Sequence, residues 1–586
     1  MRRLAMKKFL LLSLIFLLLA GSTFSQIPTP VPGWPYRSGS NYILSRNVLG
    51  RFSDEGIEKH LYFSTFGGEV QKFNLGGLYA PGWPLYCDTL LFGSDPIILD
   101  IDNDGQAEIA SAGARRESTG VYSLLFLIND NGTVMPGFPI RTLSPYGLAA
   151  ADMDDDGEYE IFYFSAREGI INCLDRYGST KPGWPIPLPY DCSAGIGGSI
   201  GDLDLDGTNE LVTAGYRNIY AFGHDGTTME GFPVTLADSN FIFINGNESN
   251  VLADFDQDSF LEIIIGGHNW LYEWPPYESC FVAIYEHTGQ PKPGWPRYFP
   301  EIIVSPITPS DIDNNGTIEL GFQGYYLHFI GIDGAELPGW PVELLRPDGA
   351  TWGTYSDMSI VDIDGDANCE IFLDFNAFYA DSLGSDSLYY YGYSYLFATD
   401  NMGQYLTGYP IKVEGAHLGK PPVFSLDRTN SRLYMSLATD ITAPWVPLDT
   451  SYLELYLFPD STGLPTEWPM LGHDNLHTRN FNFVDRVTSI NDGNMETLPR
   501  SPILKQNYPN PFNSSTVVEY SLPMASDVKL AVYDLAGRKV INFDMGYMEA
   551  GTHQKHLSMN HFSSGTYFYI LQANSVRITR KMTLVK

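Results

Sequence analysis

Basic residues are scarce in this chain. Lysine and arginine number 35 against 69 aspartates and glutamates, a formal net charge of −34 over 586 residues. Such a surface repels nucleic-acid phosphates and anionic headgroups, so neither is expected as a partner. Cysteine is sparse too: Cys87, Cys173, Cys192, Cys280 and Cys369 contain no CxxC pair, which removes zinc and thiol-redox motifs. Cys173 with Cys192 is a candidate disulfide if the chain is exported. Beyond residue 26 no apolar run is long enough to span a bilayer, so no transmembrane anchor is expected. GxSxG, HExxH and phosphate-binding glycine loops are missing, and catalysis therefore has no local signature. No stretch keeps a sustained helical period.

What the chain does have is a repeated acidic loop. In ADMDDDGEYEIFYF, residues 151–164, Asp152, Asp154 and Asp156 take alternate positions, and Gly157 and Glu160 precede an apolar, aromatic run. The same nine-position spacing returns at Asp100, Asp102, Asp104, Gly105 and Glu108, and at Asp202, Asp204, Asp206, Gly207 and Glu210. Three copies depart from it. Asp254, Asp256, Asp258 and Glu262 have Ser259 at the glycine position; Asp311, Asp313 and Glu319 have Asn315 as third ligand; Asp362, Asp364, Asp366 and Glu370 have Ala367 for glycine. About a third of all acidic residues lie in these six loops. Carboxylates so close repel one another, and the loop is costly to close unless a cation sits among them. Oxygen donors at positions 1, 3 and 5, a backbone carbonyl near 7 and an acid at 9 suit Ca2+, the expected cofactor. An EF-hand would need glutamate at position 12 and flanking helices; here the following segments (EIFYF, ELVTAG, EIIIGG, EIFLDF) read as strands.

A second signal interleaves with the loops: glycine, an aromatic residue, proline. It occurs around Trp34, Trp83, Phe138, Trp184, Phe232, Trp295, Trp340 and Tyr409, and Trp468-Pro469 is a ninth copy without the glycine. Successive aromatics are 45 to 69 residues apart, a blade-like period. Each unit runs from acidic loop through two strands and a tight turn such as Asn131-Gly132 or Asp225-Gly226 to the aromatic-proline, then on through another strand. About four strands per unit predict an all-β fold, a propeller of seven or eight blades with calcium in its hairpin loops. The aromatic rings are expected to fill the space between blades. At the two ends the loop positions, 52–60 and 425–433, have lost most of their acids and are not expected to bind metal.

The DxDxDGxxE repeats resemble the FG-GAP or VCBS repeats of calcium-binding propellers such as integrin α-subunit heads. The likeness covers about residues 31–480; it implies calcium that stiffens the hairpin loops, and it implies no reaction.

Insertions at 234–250, 266–280 and 376–395 break the period. The second carries Trp270 and Trp274, the third Tyr390 and Tyr393, and as aromatic loops on a rigid scaffold they are candidates for binding a glycan or a protein. His473 and His477 have the i,i+4 spacing of metal ligands on a helix but lack the glutamate of a zinc motif; closure of the propeller is the expected role.

The ends read differently. Residues 1–25, basic and then apolar from Phe9 to Ala20, are expected to be a signal peptide ahead of a domain at 26–480. Residues 481–503 read as a polar linker, and 504–586 as a small β-sandwich with its clearest turn at Asp534–Arg538. In this tail NYPNPFN, YDLAGRKV, AGTH, SSGTYFYIL and KMTLVK resemble the successive motifs of the Por, or type IX, secretion C-terminal sorting domain. The resemblance implies Sec export to the periplasm, an outer-membrane translocon as partner, and a secreted or cell-surface location. Together these readings point to a calcium-stabilised binding protein with a glycan or protein ligand. The alternative is a secreted polysaccharide lyase or glycoside hydrolase with its site in the propeller funnel; a quinone-dependent dehydrogenase fits less well, because Thr288-Gly289 stands too far from Trp295.

Overall fold

The computed structural model describes most residues from 28 to 468 and from 503 to 585, leaving out short intervening segments. The signal segment, the 481–503 linker except Ile503, His473, His477, Cys192, Trp270, Trp274 and Asp104 lie outside the described residues. Every described element is a strand. The chain divides into two compact units, 1–485 and 486–586.

The first unit holds eight antiparallel sheets, numbered here in chain order. Sheet three shows the plan. Gly147–Ala151 and Glu160–Ser165 flank an acidic loop, Ile170–Leu174 follows, and Ile186–Pro187 is the fourth strand. Sheets one, two and four to six repeat it within 48–86, 91–142, 198–235, 241–299 and 308–343. Two or three short strands, where one was anticipated, separate each aromatic-proline from the next loop: the first completes one sheet and the rest open the next. Sheet seven spans 352–414 and takes in Thr466–Trp468 beside Ser359–Val361. Sheet eight joins the ends of the unit, because Thr29–Pro30 and Tyr36–Ser38 pair with Ser451–Phe458.

Inner strands are β-branched and aromatic and are buried on both faces, so each sheet needs a neighbour on either side. The cores supply it. Phe162 and Ile171 of sheet three meet Ile200 and Leu211 of sheet four; Val212 meets Leu252 and Ile263 of sheet five. Val282, Leu320 and Ile371 belong to one core across sheets five, six and seven. Phe372 of sheet seven packs with Leu433 and Phe458 of sheet eight, and Leu455 and Trp34 of sheet eight pack with Leu61 of sheet one and Ile109 of sheet two. Sheets two and three meet along Ile97–Leu99 and Gly147–Ala151.

The glycine-aromatic-proline segments sit at these seams. Trp34, Trp83, Trp184, Trp295, Trp340 and Tyr409 are buried. Four indoles also donate to a turn carbonyl of the following sheet: Trp34 to Leu75 (2.8 Å), Trp83 to Asp130 (2.8 Å), Trp184 to His224 (3.0 Å) and Trp340 to Asn401 (3.1 Å). The glycine is required by the same approach. At Gly183, with φ of 87°, an added Cβ would stand 1.8 Å from the Asp225 carbonyl oxygen. The peptide bond before each described motif proline from Pro84 to Pro410 is cis.

The 376–395 insertion differs from the anticipated loop. Glu370–Ser382 and Leu388–Thr399 continue as one long hairpin paired to Ser382↔Leu388. The alternating tyrosines are therefore strand periodicity. Of the candidate Cys173–Cys192 pair, Cys192 lies outside the described residues and Cys173 is a buried free thiol.

In the second unit, Ile503–Leu504, Ser515–Leu522 and Gly551–Ser558 form one antiparallel sheet, and Ser526–Asp534, Lys539–Met548, Gly565–Ala573 and Val576–Leu584 another. Val518, Tyr520, Leu530, Val532, Tyr569 and Leu571 share the core between them. The reversal at Asp534–Arg538 falls where the sequence suggested it.

Candidate metal centres in the hairpin loops

Each acidic loop joins two successive antiparallel strands of its sheet. The residue before position 1 pairs with the glutamate at position 9, as in Ala151↔Glu160, Gly201↔Glu210 and Val361↔Glu370. That glutamate begins the second strand in all six copies and is 0–4% exposed. Its Oε2 accepts from the backbone N–H at position 2 in every copy, at 2.7–3.1 Å: Ile101 to Glu108, Met153 to Glu160, Leu203 to Glu210, Phe255 to Glu262, Ile312 to Glu319 and Ile363 to Glu370. A buried carboxylate with one oxygen tethered in this way presents the other to the loop in a fixed direction.

The aspartates fold the rest. Asp152 accepts from the N–H groups of Asp156 and Gly157, both at 3.0 Å, and Asp311 from Asn315 and Gly316 at 2.9 and 2.8 Å. Position 5 accepts from the N–H at position 7 in Asp156, Asp206, Asp258, Asn315 and Asp366, at 2.7–2.9 Å. An amide oxygen serves as well as a carboxylate there, so Asn315 keeps the loop closed. Position 6 has φ of 89° at Gly157, 97° at Gly207 and 87° at Gly316, and Ser259 adopts 83° despite its side chain.

Carboxylate oxygens of Asp100, Asp102 and Glu108 all lie within 4.8 Å of one another, as do those of Asp152, Asp154 and Glu160, of Asp202, Asp204 and Asp206, of Asp254, Asp256 and Glu262, and of Asp311, Asp313 and Glu319. With Ca–O bonds of roughly 2.3–2.6 Å, two ligands of one ion stand up to about 5 Å apart, so the clusters have the size and the hard oxygen donors that calcium needs. The electrostatics agree. Burial, opposed by the backbone hydrogen bond and reinforced by the loop aspartates, pushes Glu210 up to about 8 and Glu370 to about 9. Burial likewise lifts Glu319 to about 7. Burial thus penalises the charged form of these glutamates, a cost that a divalent cation would offset.

Two residues the sequence reading missed lie in this site. Lys181 Nζ donates to Glu160 Oε1 at 2.7 Å and Asp154 Oδ2 at 3.1 Å. Lys292 Nζ donates to Asp256 at 2.8 Å, Glu262 at 3.0 Å and Glu286 at 3.2 Å. Their signal was present: each stands two residues before the motif glycine, where the other described units carry Val31, Ala80, Met135, Met229, Leu337 and Leu406. Neighbouring loops also touch. Asn209 donates from its backbone to Met153 O at 2.9 Å and from its side chain to Asp152 O at 2.6 Å, and Cys369 N donates to Ile312 O at 2.8 Å. Of the aromatic candidates, the backbones of Tyr390 and Tyr393 pair with Ala380 and Ala377 in the long hairpin.

The secretion system C-terminal sorting domain family matches residues 506–585, the second unit. It marks the chain for the type IX system and for export to the surface or beyond. No curated protein matches the chain. Among solved structures, the chain is similar to the V. cholerae biofilm matrix protein Bap1 (11% identity, TM-score 0.31, covering 73% of this chain and 91% of that one). It is similar to the rhamnogalacturonan lyase YesW (15%, 0.43, 77% and 80%) and to the Bacillus licheniformis rhamnogalacturonan lyase PL11 (15%, 0.40, 73% and 74%). No described helix is long and apolar enough to cross a membrane.

Proposed function

We propose that the first unit is an eight-bladed propeller of the FG-GAP or VCBS kind, stiffened by calcium in its hairpin loops. In this reading it works outside the cell as a binding module for a glycan or a protein. The observation that carries the calcium reading is the glutamate at position 9: in six loops it is buried and tethered by the same N–H, and Glu108, Glu160, Glu262 and Glu319 each share a carboxylate cluster with two loop aspartates. A purely solvated acidic turn has no need to bury a carboxylate. Support for eight blades comes from the eight sheets and from a chain of shared cores that returns from sheet eight to sheet one.

Calcium would supply charge neutralisation and rigidity to the loops, so that one face of the propeller keeps a fixed shape for a ligand. Glycan and protein screens with calcium-loaded, full-length protein test the binding role. Calcium-dependent capture of one ligand class supports it. Release of new reducing or unsaturated ends from a polysaccharide would replace it with an enzymatic role.

A further inference from the structure

We infer that the six loops fall into two classes, and that in the 152–160 and 254–262 loops a lysine ammonium of the same sheet takes the role that calcium has in the other four. This rests on the calcium reading above.

Seven of the residues that stand two before a motif glycine, those from Ala80 to Leu406, occupy one backbone position. Each donates its N–H to a carbonyl of the third strand: Lys181 to Cys173, Lys292 to Ile284, Met135 to Leu127, Met229 to Ala221, Leu337 to Phe329, Leu406 to Ala398 and Ala80 to Lys72. From this position the two lysine side chains reach the acidic loop of their own sheet. An apolar side chain there only fills space, and Ala80, Met135 and Leu406 are buried. A lysine reaches further. The Lys181 ammonium contacts the carboxylates at positions 3 and 9, and the Lys292 ammonium contacts the same two positions and Glu286 as well. Those two positions are ligands of the proposed ion.

Lysine and calcium exclude each other at such a spot. An ammonium offers three donors and no lone pair, so it cannot serve as a ligand, and it consumes the carboxylate lone pairs that the ion would use. Its charge, within a few Å of a divalent ion, repels it. The Lys292 side chain is 10% exposed and has three carboxylates around it, which leaves little reason for it to move out into water. The loops of sheets two, four, six and seven have Met135, Met229, Leu337 and Leu406 at the position and keep their carboxylates for a metal. Sheets three and five are thus closed by their own cation and sit between sheets that need calcium. Asn209 bonds the 202–210 loop to the lysine-filled 152–160 loop, and Gln257 bonds the lysine-filled 254–262 loop to Gly316 of the next. The lysine loops give the calcium loops a metal-independent support on one side.

The test is calcium stoichiometry by titration calorimetry on the full-length protein, compared with Lys181→Met/Lys292→Met, which restores the residue type of the other units. Four ions in the parent and six in the double variant support the inference. The reciprocal variant Leu406→Lys, which brings an ammonium to the 362–370 loop, is expected to bind three, and covers the case in which the double variant does not fold. Six ions in the parent, or an unchanged number in both variants, overturn the inference and leave the calcium reading intact. No bound calcium in any protein overturns both.

Discussion

The indole Nε1 of Trp34 donates to the carbonyl oxygen of Leu75 across 2.8 Å, and so ties sheet eight, which contains strands from both ends of the first unit, to sheet one. Trp83, Trp184 and Trp340 make the same bond one sheet onward. A motif that serves as space filler within its own sheet is therefore also a polar latch onto the next.

Trp34→Phe keeps an aromatic ring and removes the donor. It is expected to lower unfolding stability by about 1–3 kcal/mol, from the lost hydrogen bond and the smaller ring. Urea unfolding followed by tryptophan fluorescence measures it; an unchanged midpoint would show that the closing seam does not depend on this bond.

Ser259 holds φ of 83° where four other loops have glycine. Ser259→Gly should relieve that strain and raise stability by about 1 kcal/mol, since the left-handed conformation costs an L-residue roughly that much. Thermal melts of the two proteins decide it. A lower melting temperature in the variant would mean that the serine side chain contributes something the backbone does not reveal.

In metal-free protein, burial first and the neighbouring aspartates next raise Glu210 to about 8 and Glu370 to about 9, from 4.5 in the unfolded chain. The folded state then holds more protons than the unfolded state across that window, so stability falls as pH rises from about 4.5 to about 9. Calcium, on the proposed reading, would bind the deprotonated loops and should flatten or reverse the slope. Melting temperatures from pH 5 to 9, with chelator and with calcium, check both signs; a metal-free melting temperature that rises across the range would contradict the burial argument.

Removing residues 503–586 deletes the sorting domain and none of the strands of the first unit. The truncated chain is expected to stop in the periplasm of its native host. Immunoblots of periplasmic, outer-membrane and medium fractions report the outcome, and unchanged export would mean that the tail is dispensable for sorting.

Much of the candidate site was legible because it is local. Asp152, Asp154, Asp156 and Glu160 lie within nine residues, and their spacing alone specifies a turn that gathers carboxylates. The tethering of Glu160 by Met153 N–H is local too, yet it needs the backbone path to be seen. Lys181 was missed because it reaches the loop from across two strands, about twenty residues later in the chain. In the fold, four-stranded repeats followed from the turn and loop period. The long hairpin to Ser382 and Leu388 was read as a loop because aromatic residues at alternate positions serve an insertion and a strand equally well. In the tail, Gly551–Ser558 lacks an apolar alternation, and it becomes a strand by pairing with Ser515–Leu522.

The measurement that bears most directly on the calcium account is a pair of melting curves of full-length protein, one with calcium and one with chelator, alongside a count of tightly bound ions. The account predicts about four ions and a marked fall in melting temperature when they are removed. No bound calcium and superimposable melts would contradict it, and would leave the six loops as acidic turns closed by their own hydrogen bonds and, in two of them, by a lysine.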